Sequence, residues 1–219
     1  MGVLNVEIVS MYYRDEYLAQ FYLRHYSWAD KITLITKALP LGIDNQAQAD
    51  WYTEAYRNSK ADWVILADID ELIHIDKKML SEVPGNETVK EVSLYDIYPH
   101  VTEKHLDPEL PIKGQRCHGY LMEPFFIKPI IARGSLDITF GEGRHGCIGK
   151  DVVMGKREFT GSHWRNCSLE YAIDTRINKR KNRFSQKDIE KGFALRDRES
   201  TEDLIRKEFS EHANDPKLW

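Results

Sequence analysis

The stretch Ala61–His74, with the sequence ADWVILADIDELIH, decides the predicted fold. Trp63–Ala67 is a short apolar run after a polar cluster, which is typical of a strand buried on both faces of a parallel sheet. The run leads into Asp68 and Asp70, and open α/β sheets bind ligands just beyond the carboxyl ends of such strands. In extended backbone both carboxylates point to one side, so a cation between them is favoured over a solvated acidic loop. Oxygen ligands predict Mg²⁺ or Mn²⁺.

Composition narrows the class of protein. The chain has 219 residues, of which 42% are hydrophobic and 11% aromatic, enough for one large α/β domain with a helical appendage. A net charge of −4 gives no general attraction to nucleic acid, so no nucleic-acid partner is expected. The three cysteines form no C-x-x-C pair, which favours neither a zinc knuckle nor a disulfide framework. Without a signal-like start or a membrane-length apolar run, we expect a cytoplasmic chain with no transmembrane segment.

The first part of the chain alternates between strand and helix patterns. Val3–Ser10 and Lys31–Thr36 are predicted strands, and apolar residues at helical spacing between them continue to about Trp28. Gln46–Asn58 is a predicted helix that leads back to the buried run. Strand, helix, strand, helix and strand in this order predict a parallel sheet with right-handed crossovers.

The middle of the chain is less regular. Val89–Tyr98 alternates as a strand does, and Tyr120–Ala132 is broken by two prolines, which favours two short strands over a helix. Val101–Gly119 between them is predicted to be a long surface loop. One histidine, His100, lies just before that loop, and His105 and His118 lie within it. Their spacings fit no tetrahedral metal motif, so they are interpreted as surface residues.

A glycine-rich turn follows at Gly141–Gly146. Three glycines in six residues indicate a tight turn or a close approach to a ligand, with an ordinary glycine hairpin as the alternative. Glu142 and His145 in this turn are both suited to act as a general base on a hydroxyl, so they are the predicted catalytic residues.

The last part of the chain is predicted to be one strand and several helices. Val152–Thr160 is the strand candidate, and it leads to His163. Helices are predicted at Ser168–Asn182, Gln186–Phe193 and Thr201–Ala213. A basic run, residues 176–183, is interpreted as a solvated helix face, with contact to acidic membrane headgroups or to nucleic acid as the alternatives.

The acidic stretch resembles the DxD segment of family-2-like glycosyltransferases of the GT-A fold. The resemblance rests on the pattern W…D-x-D-E, formed here by Trp63, Asp68, Asp70 and Glu71. The resemblance implies a Rossmann-like mixed sheet flanked by helices. It also implies that the acidic pair holds Mn²⁺ or Mg²⁺ on the diphosphate of a nucleotide-sugar, UDP- or GDP-linked. A histidine at the end of a late strand often completes the metal site in these enzymes, and His163 occupies the matching position.

The same resemblance implies further binding residues. An R-D-E sequence after the first strand looks like the opening of these transferases and implies a nucleotide pocket lined by Ser10, Arg14 and Asp15. The resembling enzymes have an acidic residue directly after strand two; the connection is short here, and Asp44 is the predicted substitute. Lys128 matches a cation that faces the phosphates in the related groups.

Together these features predict a GT-A-like catalytic domain over residues 1–175 and a helical C-terminal extension over residues 176–219. The predicted reaction is metal-dependent, inverting transfer of a sugar from a nucleotide-diphosphate sugar to a glycan or other hydroxyl acceptor. A non-catalytic nucleotide- or glycan-binding protein on the same scaffold is one alternative. A nucleotidyltransferase is another, although the segment after strand one lacks the glycine-rich phosphate loop that such enzymes carry.

Overall fold

The computed structural model describes residues 4–12, 24–36, 44–107, 109–110, 112–121, 127–156, 159–180, 183–193 and 195–219. Within these ranges the strands are β1 Val6–Tyr12, β2 Lys31–Thr36, β3 Trp63–Asp68, β4 Glu71–His74, β5 Val89–Ile97, β6 Gly119–Leu121, β7 Ile127–Arg133, β8 Thr139–Phe140, β9 Cys147–Ile148 and β10 Phe159–His163. The α-helices are α1 Asn45–Asn58, α2 Lys77–Ser81, α3 Leu169–Ile173, α4 Gln186–Glu190, α5 Leu195–Arg198 and α6 Glu202–His212.

Eight strands form one mixed sheet in the order β2-β1-β3-β7-β5-β10-β4, with β6 paired to β5. β1 runs parallel to β2 and to β3, whereas β7 is antiparallel to β3 and β5. The helix α1 connects β2 to β3, as the apolar spacing predicts. The predicted α/β class, a mixed sheet with flanking helices, is therefore confirmed.

The core explains why β3 is so apolar. Residues 63–67 of this strand are all buried, which confirms the predicted strand with two covered faces. Val64 and Leu66 pack in one cluster with Tyr52 and Tyr56 of α1. Burying each large apolar side chain contributes about 1.5–3 kcal/mol, so this cluster fixes the position of the strand end that follows it.

The chain divides into two compact units. The first comprises Met1–Lys37, Asn45–Leu94 and Met122–Ser162, and the second comprises Ala38–Asp44, Tyr95–Leu121 and His163–Trp219. The C-terminal helices therefore share a unit with the segment around β6. The boundary predicted at residue 175 stays a prediction.

The second unit has its own apolar cluster of Tyr98, Ala172, Ile205 and Phe209. Its last helix, α6, begins at a capped end, because the Thr201 side chain accepts a hydrogen bond from the Leu204 amide. The predicted helix over Thr201–Ala213 is confirmed within one residue at each end.

Several sequence-based boundaries are wrong. The strand β4 at Glu71–His74 has no counterpart among the predicted elements. Residues 152–155 lie beside Thr88 and Val89 through backbone hydrogen bonds, and strand β10 begins only at Phe159. The helix predicted from Ser168 becomes a π-helix at Asp174, which runs to Arg180. The predicted helix that ends near Trp28 falls largely outside the described residues.

No helix among the described residues has the length and apolar character needed to cross a membrane.

Candidate functional site

The candidate site lies in the first unit, where β1 and β3 end side by side. Ser10 is opposite Ala67 in the parallel register, and Met11 is opposite Asp68. Asp68 is the last residue of β3, and 37% of its side chain is exposed. This edge of a parallel sheet is where ligands bind in open α/β folds.

A tight turn links Asp68 to the next strand. The Asp68 amide donates a hydrogen bond to Oε2 of Glu71 at 3.0 Å, which holds the Glu71 side chain beside the end of β3. Glu71 is almost completely buried at the start of β4. Asp70, within the turn, is half-buried. The two acidic side chains of the site thus have opposite environments, one open to solvent and one enclosed.

The guanidinium of Arg144 connects these two carboxylates. One of its nitrogens lies 2.6 Å from Oδ2 of Asp68 and 2.6 Å from Oε2 of Glu71. Its other terminal nitrogen donates to the carbonyl of Leu66 at 2.7 Å. The guanidinium also lies 4.6 Å from the centre of the Tyr52 ring, within cation–π range. The contacts with Leu66 and Glu71 are buried and the contact with Asp68 is partly buried, so the positive charge of Arg144 is directed to the acidic pair.

Arg144 reaches this position because of an unusual turn. Gly141–Gly146 connects β8 to β9, and the described backbone has φ of 61° at Gly143 and 56° at Arg144. A Cβ atom at Gly143 would lie 2.7 Å from the His145 ring, so a larger residue would have to adopt a positive φ and also displace that ring. A non-glycine residue at positive φ is uncommon, and such residues are found disproportionately at functional sites.

Two further side chains complete the cluster. The Tyr52 hydroxyl donates to Oδ1 of Asp68 at 2.5 Å. The ammonium of Lys128, on β7, donates to Oε1 of Glu71 at 2.6 Å. Two carboxylates are therefore matched by two cations, and both oxygens of each carboxylate accept a hydrogen bond.

The pKa shifts follow from this arrangement. Burial opposes the charged form of Arg144, but the charges of Asp68 and Glu71 outweigh it and raise the pKa of the guanidinium. Burial also raises the pKa of Tyr52 well above its ordinary value, because the nearby carboxylates add to it and only Arg144 opposes it. Tyr52 is consequently a fixed hydrogen-bond donor at neutral pH.

His145 is the residue of the turn that interacts electrostatically with the cluster. Partial burial and the positive charges of Lys128 and Arg144 lower its pKa, and Glu71 and Asp68 offset this only in part. The lowered pKa keeps the ring mainly neutral at pH 7, as a general base must be. Glu142, the other predicted base, is half-buried in the same turn.

The structure places the other predicted binding residues as follows. Ser10 is buried on β1, opposite Ala67, which is one residue before the end of β3. Lys128 belongs to the cluster, through Glu71. Asp44 is half-buried and belongs to the second unit. Arg14 and Asp15 lie outside the described residues.

His163 belongs to a separate polar network in the second unit. Its Nδ1 lies 3.0 Å from Oδ1 of Asp96. The Asn166 amide donates both to Asp96 at 2.9 Å and to the Tyr98 hydroxyl at 2.8 Å. A histidine that ligates a metal usually has its other ring nitrogen on a carboxylate, and Asp96 provides that arrangement. The role of His163 as a ligand stays a prediction.

Sequence reasoning missed the roles of Tyr52 and Arg144, and it missed that Glu71 is buried and paired with Arg144 and Lys128. Glu71 was visible in the D-x-D-E spacing, and the apolar pair after it was a signal for a new strand. Tyr52 was visible only as part of the apolar face of a helix. Arg144 gave no local signal, because its contacts are more than 70 residues away in the chain.

The residues present are compatible with a divalent ion but do not require one. A carboxylate oxygen has two lone pairs, so Asp68 can accept a further ligand on its exposed side. Asp68 and Glu71 are already neutralised by Lys128 and Arg144. An ion of charge +2 therefore fits best when it arrives together with an anionic ligand such as a diphosphate.

No protein-family model matches the chain, and no curated protein matches it. Among solved structures, the bifunctional glycosyltransferase WbbM is 13% identical over 42% of this chain and 24% of its own, with a TM-score of 0.26. TarS from S. aureus is 12% identical over 95% of this chain and 43% of its own, with a TM-score of 0.36. The chain spans less than half the length of either protein. TM-scores of this size do not establish a common fold, so the α/β class rests on the sheet topology of the chain itself.

Proposed function

We propose that this chain is a glycosyltransferase that moves a sugar from a nucleotide-diphosphate sugar to a hydroxyl acceptor. One observation carries the proposal: the carboxylate of Asp68 is partly exposed where the parallel strands β1 and β3 end, and it is also fixed by an ion pair with the buried Arg144. A carboxylate fixed in this way keeps its position when a charged ligand binds. The W…D-x-D-E resemblance supplies the choice of ligand.

The proposed reaction is a displacement at the anomeric carbon. The acceptor oxygen forms a bond to that carbon on one face of the sugar, and the bond to the diphosphate oxygen breaks on the other, which inverts the configuration. The nucleoside diphosphate leaves with the bonding electron pair, and the hydroxyl proton moves to a base. His145 is the preferred base, because its lowered pKa keeps the ring neutral, and Glu142 is the second candidate.

Metal dependence is part of the proposal. Mn²⁺ or Mg²⁺, when bound, supplies Lewis-acid stabilisation of the leaving diphosphate. Asp68 and Asp70 would hold the ion through their carboxylate oxygens. Lys128 and Arg144 keep the carboxylate of Glu71 charged and oriented, because both cations contact it. Arg144 does the same for Asp68.

The decisive experiment is a screen of UDP-, GDP- and CMP-linked sugars for hydrolysis or transfer, with and without Mn²⁺. Asp68→Asn and Asp70→Ala should each lower turnover by about 10²–10³-fold, because each removes charge at the diphosphate. Asp50→Asn is the matched control, since Asp50 is exposed on α1 and should leave turnover within about twofold. Full metal-dependent turnover in the Asp70 variant would contradict the assignment.

A non-catalytic nucleotide- or glycan-binding protein is the second candidate. It is favoured by the fact that both oxygens of Asp68 already accept hydrogen bonds, from Tyr52 and Arg144. Stabilisation by a nucleotide in a thermal-shift assay, without turnover toward any acceptor, would select this candidate. Turnover that survives chelation would remove only the metal-dependent part of the first proposal.

A further inference from the structure

A second group of reactive side chains lies in the second unit. It is formed by Glu103, Cys117 and His118, which belong to the segment between β5 and β6. Each offers one ligand atom, and the three atoms lie within 4.8 Å of one another. The Glu103 and His118 side chains are only 10% and 15% exposed. The group is therefore built into the fold and is not a chance meeting of surface side chains.

The distances within this group are close to those of a metal site. Cys117 Sγ lies 3.5 Å from His118 Nδ1 and 3.6 Å from Glu103 Oε1, and the nitrogen and oxygen are 2.8 Å apart. Tetrahedral zinc, with bonds of about 2.0–2.3 Å, separates pairs of such ligands by about 3.3–3.6 Å. Both distances to sulfur already match, and only the nitrogen–oxygen pair has to open by about half an ångström.

The backbone holds the ligands in place. The amides of His100 and Cys117 both donate to the Glu103 carboxylate at 3.0 Å, which fixes its orientation. The C-terminal segment lies against the segment that carries Cys117 and His118, because the Leu218 amide donates to the Cys117 carbonyl at 2.7 Å. Positions fixed by backbone hydrogen bonds reduce the ordering cost of binding an ion.

Charge and ligand type select the metal. A thiolate and a carboxylate carry two negative charges, and a neutral imidazole adds none, so a divalent ion gives a neutral site. Thiolate together with imidazole favours zinc over the harder ions that prefer oxygen alone. Arg116 lies 3.7 Å from the second oxygen of Glu103, so it can remain while the first oxygen binds an ion.

We propose that Glu103, Cys117 and His118 bind one Zn²⁺, with water in the fourth position of a tetrahedron. Binding replaces the thiol proton, which passes to solvent, and forms a sulfur–zinc bond. The ion links Glu103 to Cys117 and His118, so its role is to stabilise the contacts that already join these parts of the chain. The His100 ring, stacked on His118 at 4.1 Å, holds the imidazole plane. The alternative is a group held together by hydrogen bonds to Glu103 alone.

Cobalt replaces zinc in such sites and can be observed directly, so Co²⁺ is the probe. Tag-free, chelator-treated protein is titrated with Co²⁺ and its absorption is recorded. We expect one Co²⁺ per chain, a thiolate-to-cobalt charge-transfer band and the visible bands of tetrahedral cobalt, all displaced by Zn²⁺. Cys117→Ser should abolish the charge-transfer band, and His118→Ala should weaken binding by at least about tenfold.

Cys147→Ser is the matched control, because Cys147 is a half-buried thiol in the first unit and should leave the spectrum unchanged. Circular dichroism checks that each variant is folded, and Glu103→Gln replaces Cys117→Ser if the latter is not. No charge-transfer band in the parent protein would overturn the proposal. A band that persists without Cys117, or disappears with Cys147, would overturn it equally.

Discussion

Polar side chains with competing charges meet in two regions of this molecule, and each region balances the charge differently. At the end of β3, Asp68 and Glu71 both contact the guanidinium of Arg144 at 2.6 Å. In the segment before β6, Glu103 instead shares one oxygen with the Cys117 thiol and the His118 ring. The first region contains its own cation, whereas the second brings together the ligands that an external cation needs.

The difference shows that close carboxylates are not by themselves evidence of a metal site. The D-x-D spacing predicts a cation near Asp68, and a cation is present, but the described structure supplies it from an arginine side chain. The segment that was interpreted as a surface loop with scattered histidines has the three-ligand geometry instead. Four experiments can break or sharpen this contrast.

The largest effect is expected for Arg144→Met. The substitution leaves Glu71 buried beside one cation only and removes the partner of Asp68, which should lower the free energy of unfolding by about 3–5 kcal/mol. Arg206→Met is the control, because Arg206 pairs with Glu202 on an exposed helix face, where the loss should be below about 1 kcal/mol. Urea denaturation measures both. Equal losses would show that the β3 cluster is not a buried charge network.

Zinc should stabilise the protein through the second region. At a free concentration about 100 times the dissociation constant, binding contributes about 2.7 kcal/mol. For a chain of this size that raises the melting temperature by roughly 5–10 °C. Cys117→Ser should lose the increase, and Asp70→Asn should keep it. If the Asp70 variant loses it, the ion binds at the acidic edge of β3 and the contrast between the regions fails.

Tyr52→Phe should have a smaller effect. The ring remains in contact with Arg144, but Asp68 loses a hydrogen bond of 2.5 Å. Because Asp68 is partly exposed, water replaces the donor and the expected loss is about 1 kcal/mol. Tyr95→Phe is the comparison, since the described part of the chain shows no hydrogen bond to its hydroxyl. A loss as large as that of Arg144→Met would mean that the hydroxyl, not the guanidinium, holds Asp68.

The smallest effect concerns pH and His145. The pKa of His145 in the folded state lies below its ordinary value of 6.5. At a pH between these two pKa values, the unfolded chain therefore binds more protons at this ring than the folded chain does. The folded state therefore loses stability as pH falls through the window. His145→Gln should flatten the dependence of unfolding free energy on pH between about 5 and 8. His105→Gln, an exposed position in the second unit, should flatten it less, and the reverse order would contradict the lowered pKa.

The sequence predicts regular elements well where a local pattern decides them. The apolar run Trp63–Ala67 identifies a strand covered on both faces, and the structure confirms it. The short strand at Glu71–His74 escapes prediction, because a carboxylate at its start resembles a loop and only the partners in the fold bury it. Local patterns therefore locate the edge of the sheet but not all of the side chains that meet there.

The side-chain groups depend on contacts between distant parts of the chain. Arg144 contacts Asp68 from a turn in which Gly143 and Arg144 both have positive φ. The spacing of charged residues in the sequence does not predict this geometry. The Glu103, Cys117 and His118 group is formed by folding back a loop, and C-x-x-C rules do not detect it. Tertiary closure, not local propensity, brings both groups together.

The backbone at Arg144 has a consequence for how this protein can change. A φ of 56° is a conformation that glycine adopts freely and that costs a branched or long side chain roughly 1–3 kcal/mol. Glycine at this position would relax the main chain, but it would also remove the guanidinium that contacts Asp68 and the buried Glu71. The backbone at this position favours glycine, whereas the contacts with Asp68 and Glu71 need arginine. Any substitution therefore worsens one of the two, and we expect this residue to tolerate mutation poorly.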